Sequence, residues 1–152
     1  MILKLFVLLA HGFGLGLIPK VPGTFGTLLG FPLALALLSL PQPTAFIIFA
    51  FLFILALWAI KAFQNSFENK NIDDARIVID EYLAFALLLY FLPNNSSIWF
   101  IAFIVFRFFD ITKPFPINWL DSKFKNIFGV MLDDLLAALL SWILIQVGLA
   151  LV

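Results

Sequence analysis

The feature that most constrains how this chain can fold is a run of nineteen residues, 44–62, in which Lys61 is the only charged side chain. Its length is close to the roughly 20 apolar residues that an α-helix needs to cross the hydrocarbon core of a bilayer. Hydrophobic residues make up 64% of the 152-residue chain and charged residues only 12%, whereas soluble domains are about half apolar and about a quarter charged. The sequence therefore predicts an integral membrane protein.

Further apolar segments extend this prediction along the chain. A weaker candidate covers residues 2–18, where three glycines interrupt the run, so that it is expected to be re-entrant or to lie on the surface. The stretches "PQPT" and "PNNSS" predict tight turns between antiparallel helices. We expect one all-α domain over residues 1–152, a compact bundle of about five to six transmembrane or re-entrant helices. Besides 44–62, the predicted membrane helices are 25–40, 77–92, 97–110 and 133–152.

Charge divides the predicted loops into two kinds. The two tight turns carry no charge, whereas the loops near 19–24, 61–76 and 107–132 hold eight of the nine Lys and Arg residues. Cationic loops stay in the cytoplasm, so these three loops are predicted to face inward and to form any functional site. The net charge of zero gives no indication of a nucleic-acid partner. The absence of Cys excludes disulfides, thiolate metal sites and cysteine nucleophiles.

The acidic residues predict a metal site on the same side. All nine lie in or beside the second and third cationic loops. Asp80 and Glu81 are the most informative, because they lie three residues inside an apolar segment, where acidic residues are functional by default. Clustered carboxylates without His or Cys partners suit a hard cation such as Mg²⁺, whose bound waters phosphate oxygens can replace. The candidate metal ligands and catalytic residues are those at helix ends, namely Asp80, Glu81, Asp110, Asp133 and Asp134.

The stretch "FRFFDITKPFPI" adds cations to this set. Arg107, Asp110 and Lys113 are spaced i, i+3 and i+6, along one side of a helix. A carboxylate between two cations suits a site that binds an anion as well as a metal. Arg107 and Asp110 are also compatible with a simple ion pair at the headgroup level, or with an Arg107 side chain that extends to the interface.

Other acids have structural explanations that the sequence leaves open. Asp133 and Asp134 could cap the N-terminus of the last helix, where negative charge interacts favourably with the helix dipole. The remaining acids are expected to be solvated loop charges, namely Glu68, Asp73, Asp74 and Asp121.

Six of the eight glycines fall between Gly12 and Gly30, in and around "GFGLGLIPKVPGTFGT". The spacing matches neither a P-loop nor a dinucleotide fingerprint. Glycine lets backbone N–H groups approach an anion, and Thr24 and Lys20 could add a hydroxyl and a charge at the helix start after "PGT". Close packing of helices through small residues explains the pattern equally well. His11, the only histidine, is expected to be packed or hydrogen-bonded within the bundle.

Four segments, "PGTFGT", "IVIDE", "FRFFDITKPFPI" and "GVMLDD", resemble in order and spacing the signatures of the phosphatidylglycerophosphatase A family. The resemblance implies a Mg²⁺-dependent enzyme of the bacterial inner membrane that converts phosphatidylglycerophosphate to phosphatidylglycerol. The chain departs from the pattern at Thr27, where Ser is usual, and in "DDAR" and "NIFGVM", which have fewer glycines. The matched positions are Gly23, Thr24, Gly26, Asp80, Glu81, Arg107, Asp110, Lys113, Pro114, Pro116, Asp133 and Asp134.

The resemblance also implies roles for these residues. Arg107 and Lys113 would hold the phosphate of the phospholipid substrate, and Asp110 would hold the metal beside it. The predicted substrate-binding set is completed by the matched positions Gly23, Thr24 and Gly26, and by Lys20 from the glycine-rich stretch. A small transporter or ion-conducting subunit is the alternative, but its acids should line a path across the membrane, whereas these lie on one side. The sequence leaves open the oligomeric state, the acyl-chain preference, the number of metal ions and the nucleophile.

Overall fold

The computed structural model describes residues 2–66 and 74–151, and every regular element in those ranges is helical. This confirms the all-helical prediction. A 3₁₀ segment, Gly12–Leu17, lies between the first two helices. The α-helices are α1 Ile2–Ala10, α2 Pro22–Thr27, α3 Gly30–Leu38, α4 Gln42–Ser66, α5 Ile79–Tyr90, α6 Ser96–Thr112, α7 Ile117–Lys123 and α8 Ile127–Ala150.

Two of these helices, α4 and α8, are long and apolar enough to cross a membrane. They have 25 and 24 residues, which corresponds to lengths of roughly 38 and 36 Å at 1.5 Å per residue. Within residues 2–66 and 74–151, no other helix meets both criteria. The predicted number of five to six spanning or re-entrant helices is therefore not confirmed.

The N-terminal third differs most from the prediction. Residues 2–18 do not form one segment, because α1 ends at Ala10 and the chain then turns through Gly12, Phe13 and Gly14, all with positive φ. The predicted helix at 25–40 is instead two helices, α2 and α3, which meet at a kink where the Leu29 amide bonds the Gly26 carbonyl, three residues back. Two short helices that meet at an angle can follow the surface of α5 more closely than one straight helix could.

The later helices follow the predicted segments more closely, with one addition. Helices α4, α5 and α6 lie within four residues of their predicted ends, and both tight turns are present. Helix α6 ends at Thr112, and the next residue, Lys113, adopts the left-handed conformation. After Pro114 and Pro116 the chain forms α7, which was not predicted. Helix α8 begins at Ile127, six residues before its predicted start.

Helix α5 is the centre of the molecule. It packs against α2, α3, α4, α6 and α8, and nine of its twelve residues are buried. One hydrophobic cluster surrounds its first turns, with Phe63 and Met131 from neighbouring helices, and a second surrounds Phe85 with Phe106. The start of α5 is held by a hydrogen bond of 2.9 Å from the Val78 amide to the Ala10 carbonyl. Acidic side chains in the first turn of α5 are therefore positioned inside the bundle.

The outward faces of the helices are apolar. Large hydrophobic side chains are exposed on α4, α6 and α8, among them Ile47, Phe100, Ile104 and Val147. Monomeric soluble proteins rarely expose contiguous apolar surface on this scale, and such surfaces mark contacts with a membrane or with other proteins.

Candidate active site

Two acids enter the site from the first turn of α5. Asp80 is buried, and its side chain accepts a hydrogen bond of 3.1 Å from the Glu81 amide. The Glu81 side chain is only 15% exposed. Because the two residues are about 100° apart on the helix, they point to different neighbours.

Arg107 from α6 lies between two of the carboxylates. Its Nη1 atom is 3.2 Å from Oε1 of Glu81 and also forms an ion pair with Oδ2 of Asp110, one turn further along α6. The i, i+3 pair expected from the sequence is therefore present, but it is not an isolated pair at the surface. Arg107 is 13% exposed and connects α6 to the start of α5.

Thr27, at the end of α2, is a site residue that the sequence analysis did not identify. Its hydroxyl is fully buried, donates a hydrogen bond of 2.8 Å to the Gly23 carbonyl and accepts one of 3.3 Å from Nη1 of Arg107. The family pattern, which usually has Ser at this position, could have identified Thr27. Ser and Thr share the hydroxyl group and differ only by a methyl group. Thr27 therefore supports the same guanidinium nitrogen that contacts both carboxylates.

The glycines of "PGTFGT" bring α2 against the start of α5. A Cβ atom at Gly23 would lie 2.7 Å from Cδ of Glu81, and one at Gly26 would lie 2.8 Å from Cγ2 of Val78. Both distances are too short for real side chains, so these glycines are needed for close packing. Contact between either glycine and a substrate anion stays a prediction.

The other two residues of that predicted binding region are less closely connected. Thr24 is half-buried, and Lys20 is exposed with a positive φ of 82°. In the part of the chain that the structure describes, no hydrogen bond or ion pair joins either of them to the carboxylates. Their substrate-binding roles also remain predictions.

A second group of charges surrounds Lys113. Its Nζ atom lies 3.0 Å from Oδ2 of Asp133 and 3.3 Å from Oδ1 of Asp121. Asp121 was expected to be a solvated loop charge. That expectation is wrong in part, because Asp121 belongs to α7 and forms an ion pair, although its side chain is 45% exposed. The unpredicted helix α7 thus supplies a partner for a predicted site residue.

Asp134 joins the Arg107 group from α8. It is buried, lies within electrostatic range of Asp80 and Glu81, and is within hydrogen-bonding reach of Asp110. Neither Asp133 nor Asp134 caps the helix. Asn126 does so, by accepting a hydrogen bond of 2.8 Å from the Gly129 amide. The capping alternative is therefore wrong, and both acids lie inside the helical bundle.

The site thus has two adjoining parts, to which we give names. The arginine cluster contains Arg107, Thr27, Asp80, Glu81, Asp110 and Asp134. The lysine cluster contains Lys113, Asp121 and Asp133. The five predicted acids are all buried or largely buried, and α5, α6 and α8 bring them to one region of the fold.

The donors suit a hard cation, but they are not arranged as a finished metal site. Among the described residues, no group of three or more His, Asp or Glu side chains is close enough to hold a metal ion. The carboxylates face Arg107 and Lys113 instead. Oε2 of Glu81 and Oδ1 of Asp133 are buried and have no hydrogen-bond partner in the described parts of the chain. These two oxygens are the free acceptors that a hard cation would find here.

Three titratable residues outside the two clusters, His11, Asp74 and Arg76, make structural contacts. His11 accepts a hydrogen bond of 3.0 Å from the Gly14 amide and packs edge-on against Phe63, which confirms the expectation for this residue. Asp74 is not a freely solvated charge, because it pairs with Arg76 at 2.7 Å and is 10% exposed. This carboxylate also raises the pKa of Arg76. Glu68 and Asp73 lie outside the described residues.

Fold and site together define a small all-helical protein with an apolar exterior and one buried group of carboxylates and cations. The chain belongs to the phosphatidylglycerophosphatase A family, whose sequence signature matches residues 8–149. No solved structure matches the chain.

Three curated relatives match most of the chain, and two of them carry the name of this family. A phosphatidylglycerophosphatase A of Haemophilus influenzae is 43% identical over 141 residues, covering 91% of this chain and 85% of the relative. The phosphatidylglycerophosphatase A of Escherichia coli is 34% identical, covering 88% and 77%. A Bacteroides thetaiotaomicron protein provisionally named a phosphatidylinositol-3-phosphatase is 36% identical, covering 93% and 92%.

Proposed function

We propose that this protein is a membrane-embedded lipid phosphatase that hydrolyses the terminal phosphate of phosphatidylglycerophosphate to give phosphatidylglycerol, with Mg²⁺ as its cofactor. The observation that carries the proposal is the buried arginine cluster, in which Arg107 contacts Glu81 and Asp110, and Asp80 and Asp134 lie within electrostatic range of these carboxylates. Two relatives that match most of the chain carry the name of this activity.

A phosphate monoester suits these two clusters. Its oxygens carry negative charge, which Arg107 and Lys113 would contact from either side, and cations at such positions stabilise the charge of a transferring phosphoryl group. In the fold described here both cations contact carboxylates instead. On our proposal, substrate binding exchanges some of these carboxylate contacts for phosphate oxygens.

The ligands proposed for Mg²⁺ are drawn from Asp80, Glu81, Asp110, Asp133 and Asp134. Bound Mg²⁺ would neutralise phosphate oxygens and orient the scissile bond. The free oxygens of Glu81 and Asp133 support this assignment, and so does the absence of soft ligands from the cluster. Thr27 would keep Arg107 directed at the substrate while carboxylates engage the cation.

Membrane insertion is supported by the lengths of α4 and α8 and by the apolar outer faces of the bundle. We propose that the charged loops face the cytoplasm in a bacterial inner membrane. Single cysteines at Lys123 and Asn94 can test this, since the chain contains no other Cys. We expect a membrane-impermeant thiol reagent to label position 94, but not 123, in intact cells. The reverse pattern would invert the topology.

A transporter or ion-conducting subunit is less well supported. The acids enter from the first turn of α5, the end of α6 and the first third of α8, all at one end of the bundle. No row of charged side chains continues along the described part of α5 towards Tyr90. An interfacial enzyme requires charges in only one such place.

The decisive experiment is phosphate release from defined lipid phosphates by the purified protein in mixed micelles, with Mg²⁺ and after chelation. Phosphatidylglycerophosphate should be hydrolysed only with the metal, and Asp80→Asn protein should serve as the inactive control. Phosphatidylinositol-3-phosphate belongs in the same panel, because one relative is named for it. A faster rate on that lipid would reassign the substrate, and no release from any lipid would overturn the proposal.

A further inference from the structure

A groove between α5 and α8 is not used by the proposed chemistry. It has a volume of about 280 Å³ and is lined by apolar side chains, among them Leu87 and Leu88 from α5, Phe91 directly after α5, and Leu135, Leu139 and Trp142 from α8. This volume approaches the ~300 Å³ at which small-molecule sites begin. The groove is apolar whereas the two clusters are charged, so the groove suits an apolar part of a ligand.

The groove is a continuation of the arginine cluster along the same two helices. Leu87 lies two turns after Asp80 on α5, and Ala138, which also lines the groove, lies one turn after Asp134 on α8. These separations correspond to roughly 11 and 6 Å along the helix axes. The two helices run in the same direction, since the acids meet at one end and Phe91 meets Trp142 at the other.

The far end of the groove is bridged by a specific contact. Nε1 of Trp142 donates a hydrogen bond of 3.3 Å to the carbonyl of Phe91, the residue that ends α5. Both side chains line the groove. The indole is therefore fixed in place, and the groove has a defined length between the charged cluster and this pair.

We infer that this groove holds an acyl chain of the phospholipid substrate while its phosphate occupies the charged clusters. A lipid phosphate has this distribution of chemistry, with a doubly charged end, a polar glycerol spacer and long apolar chains. The groove opens to the apolar exterior of the bundle, where Leu139 is half-exposed, so a chain can enter sideways from the bilayer. This inference rests on the proposed function and adds the subsite that positions the substrate lengthwise.

The test compares two substitutions that are matched in kind and exposure. Leu139 lines the groove and is 50% exposed, whereas Leu144 lies on the same helix outside the groove and is 52% exposed. The substrates are phosphatidylglycerophosphates with two four-carbon or two sixteen-carbon chains, at a fixed mole fraction in detergent micelles. The measured quantity is the ratio of kcat/KM for the long lipid to that for the short one.

We expect Leu139→Trp to lower this ratio by about tenfold, because lost contact with two methylene groups accounts for that much. The kcat/KM for the short lipid should fall less than that for the long lipid, and Leu144→Trp should leave the ratio unchanged. If Leu139→Trp does not fold, the same ratio is measured for Leu139→Ala and Leu144→Ala. We expect Leu139→Ala to lower the ratio by about threefold. A ratio unchanged by the folded Leu139 variant, or lowered equally by the Leu144 variant, would overturn the inference.

The controls separate failure of this inference from failure of the proposed function. Wild-type protein that hydrolyses neither lipid contradicts the proposed function, and the groove inference falls with it. Wild-type protein that hydrolyses both lipids with equal kcat/KM keeps the proposed function and removes the acyl subsite.

Discussion

The arginine and lysine clusters use the same chemistry in different surroundings. Arg107 is 13% exposed and its partners Glu81 and Asp110 are 15% and 11% exposed. Lys113 is 27% exposed, and one of its two partners, Asp121, is 45% exposed. Buried ion pairs are expensive to break, whereas exposed pairs contribute little. We therefore expect the arginine cluster to keep its geometry and the exposed Lys113–Asp121 pair to exchange partners more readily.

Side-chain chemistry follows the same division. A guanidinium group offers five donors in a fixed plane, while an ammonium group is a strongly hydrated point charge on a flexible stem. Arg107 uses Nη1 to contact Thr27 as well as the two carboxylates. On our proposed function, Arg107 would define where the phosphate lies and Lys113 would follow the phosphate as it enters and leaves.

The largest expected difference between the clusters is in stability. Arg107→Ala leaves buried carboxylates without their cation, so it should lower the free energy of unfolding by about 3–5 kcal/mol. Lys113→Ala should lower it by a smaller amount, about 1–2 kcal/mol, because Lys113 and Asp121 are partly exposed although the buried Asp133 also loses its cation. Thermal unfolding in detergent measures both, with Arg107→Lys as a charge-retaining control. Equal destabilisation by the two alanine variants would contradict the comparison.

Removal of one carboxylate tests the proposed metal role. Asp80→Asn keeps the shape of a buried side chain but removes its charge, and we expect kcat to fall by about 10²–10³, as for other electrostatic contacts in active sites. Excess Mg²⁺ should restore part of this activity. Asp121→Asn is the control, because its exposed carboxylate should change the rate by less than about twofold. Wild-type rates and Mg²⁺ dependence in the Asp80 variant would show that this acid is not a ligand.

Lys113→Ala should weaken substrate binding more than it slows turnover. The lysine is proposed to contact phosphate in both the bound substrate and the transition state, so KM should rise by roughly tenfold, the effect of about 1.4 kcal/mol. The Mg²⁺ concentration for half-maximal rate should not increase. Steady-state kinetics over lipid and Mg²⁺ concentration separate the two effects, and an increased demand for Mg²⁺ would place Lys113 among the residues that organise the metal.

An effect of similar size is expected from the hydroxyl of Thr27. Thr27→Val keeps the volume but removes one hydrogen bond to a charged group, so kcat/KM should fall by about tenfold, corresponding to ~1.5 kcal/mol. Thr27→Ser should restore most of the rate, because it retains the hydroxyl. Thr112→Val removes a similar hydrogen bond, from a hydroxyl to a carbonyl at the exposed end of α6, and should leave kcat/KM unchanged. A Ser variant as impaired as the Val variant would show that packing, not the hydroxyl, matters here.

Patterns among neighbouring residues predicted the parts of the fold that depend on interactions between neighbouring residues. The nineteen-residue apolar run lies within α4, and the uncharged turns separate the expected helices. The acids at predicted helix ends do come together, because each end belongs to a helix that packs on or beside α5. The length of an apolar run, the positions of Pro and Asn, and the positions of charged residues each act over a few residues. They can therefore be interpreted from one sequence.

Long-range contacts could not be predicted in this way. The bond between Thr27 and Arg107 joins residues 80 positions apart, and no local spacing encodes it. The predicted start of α8 at Asp133 is wrong because the Asn126 cap begins the helix six residues earlier, ahead of the apolar stretch 127–132. The kink between α2 and α3 depends on close approach to α5 at Gly26, which a hydrophobic run does not reveal.

The order in which the helices are synthesised has a consequence for the arginine and lysine clusters. The hydrogen bond between the Val78 amide and the Ala10 carbonyl can form as soon as the start of α5 has been synthesised. The arginine cluster must wait for α6, and both clusters remain incomplete until Asp133 and Asp134 arrive in α8. During synthesis, Asp80 and Glu81 thus leave the ribosome well before their last partners, Asp133 and Asp134, have been made. A chain arrested before α8 would contain the cationic residues of both clusters but would hold neither cluster complete.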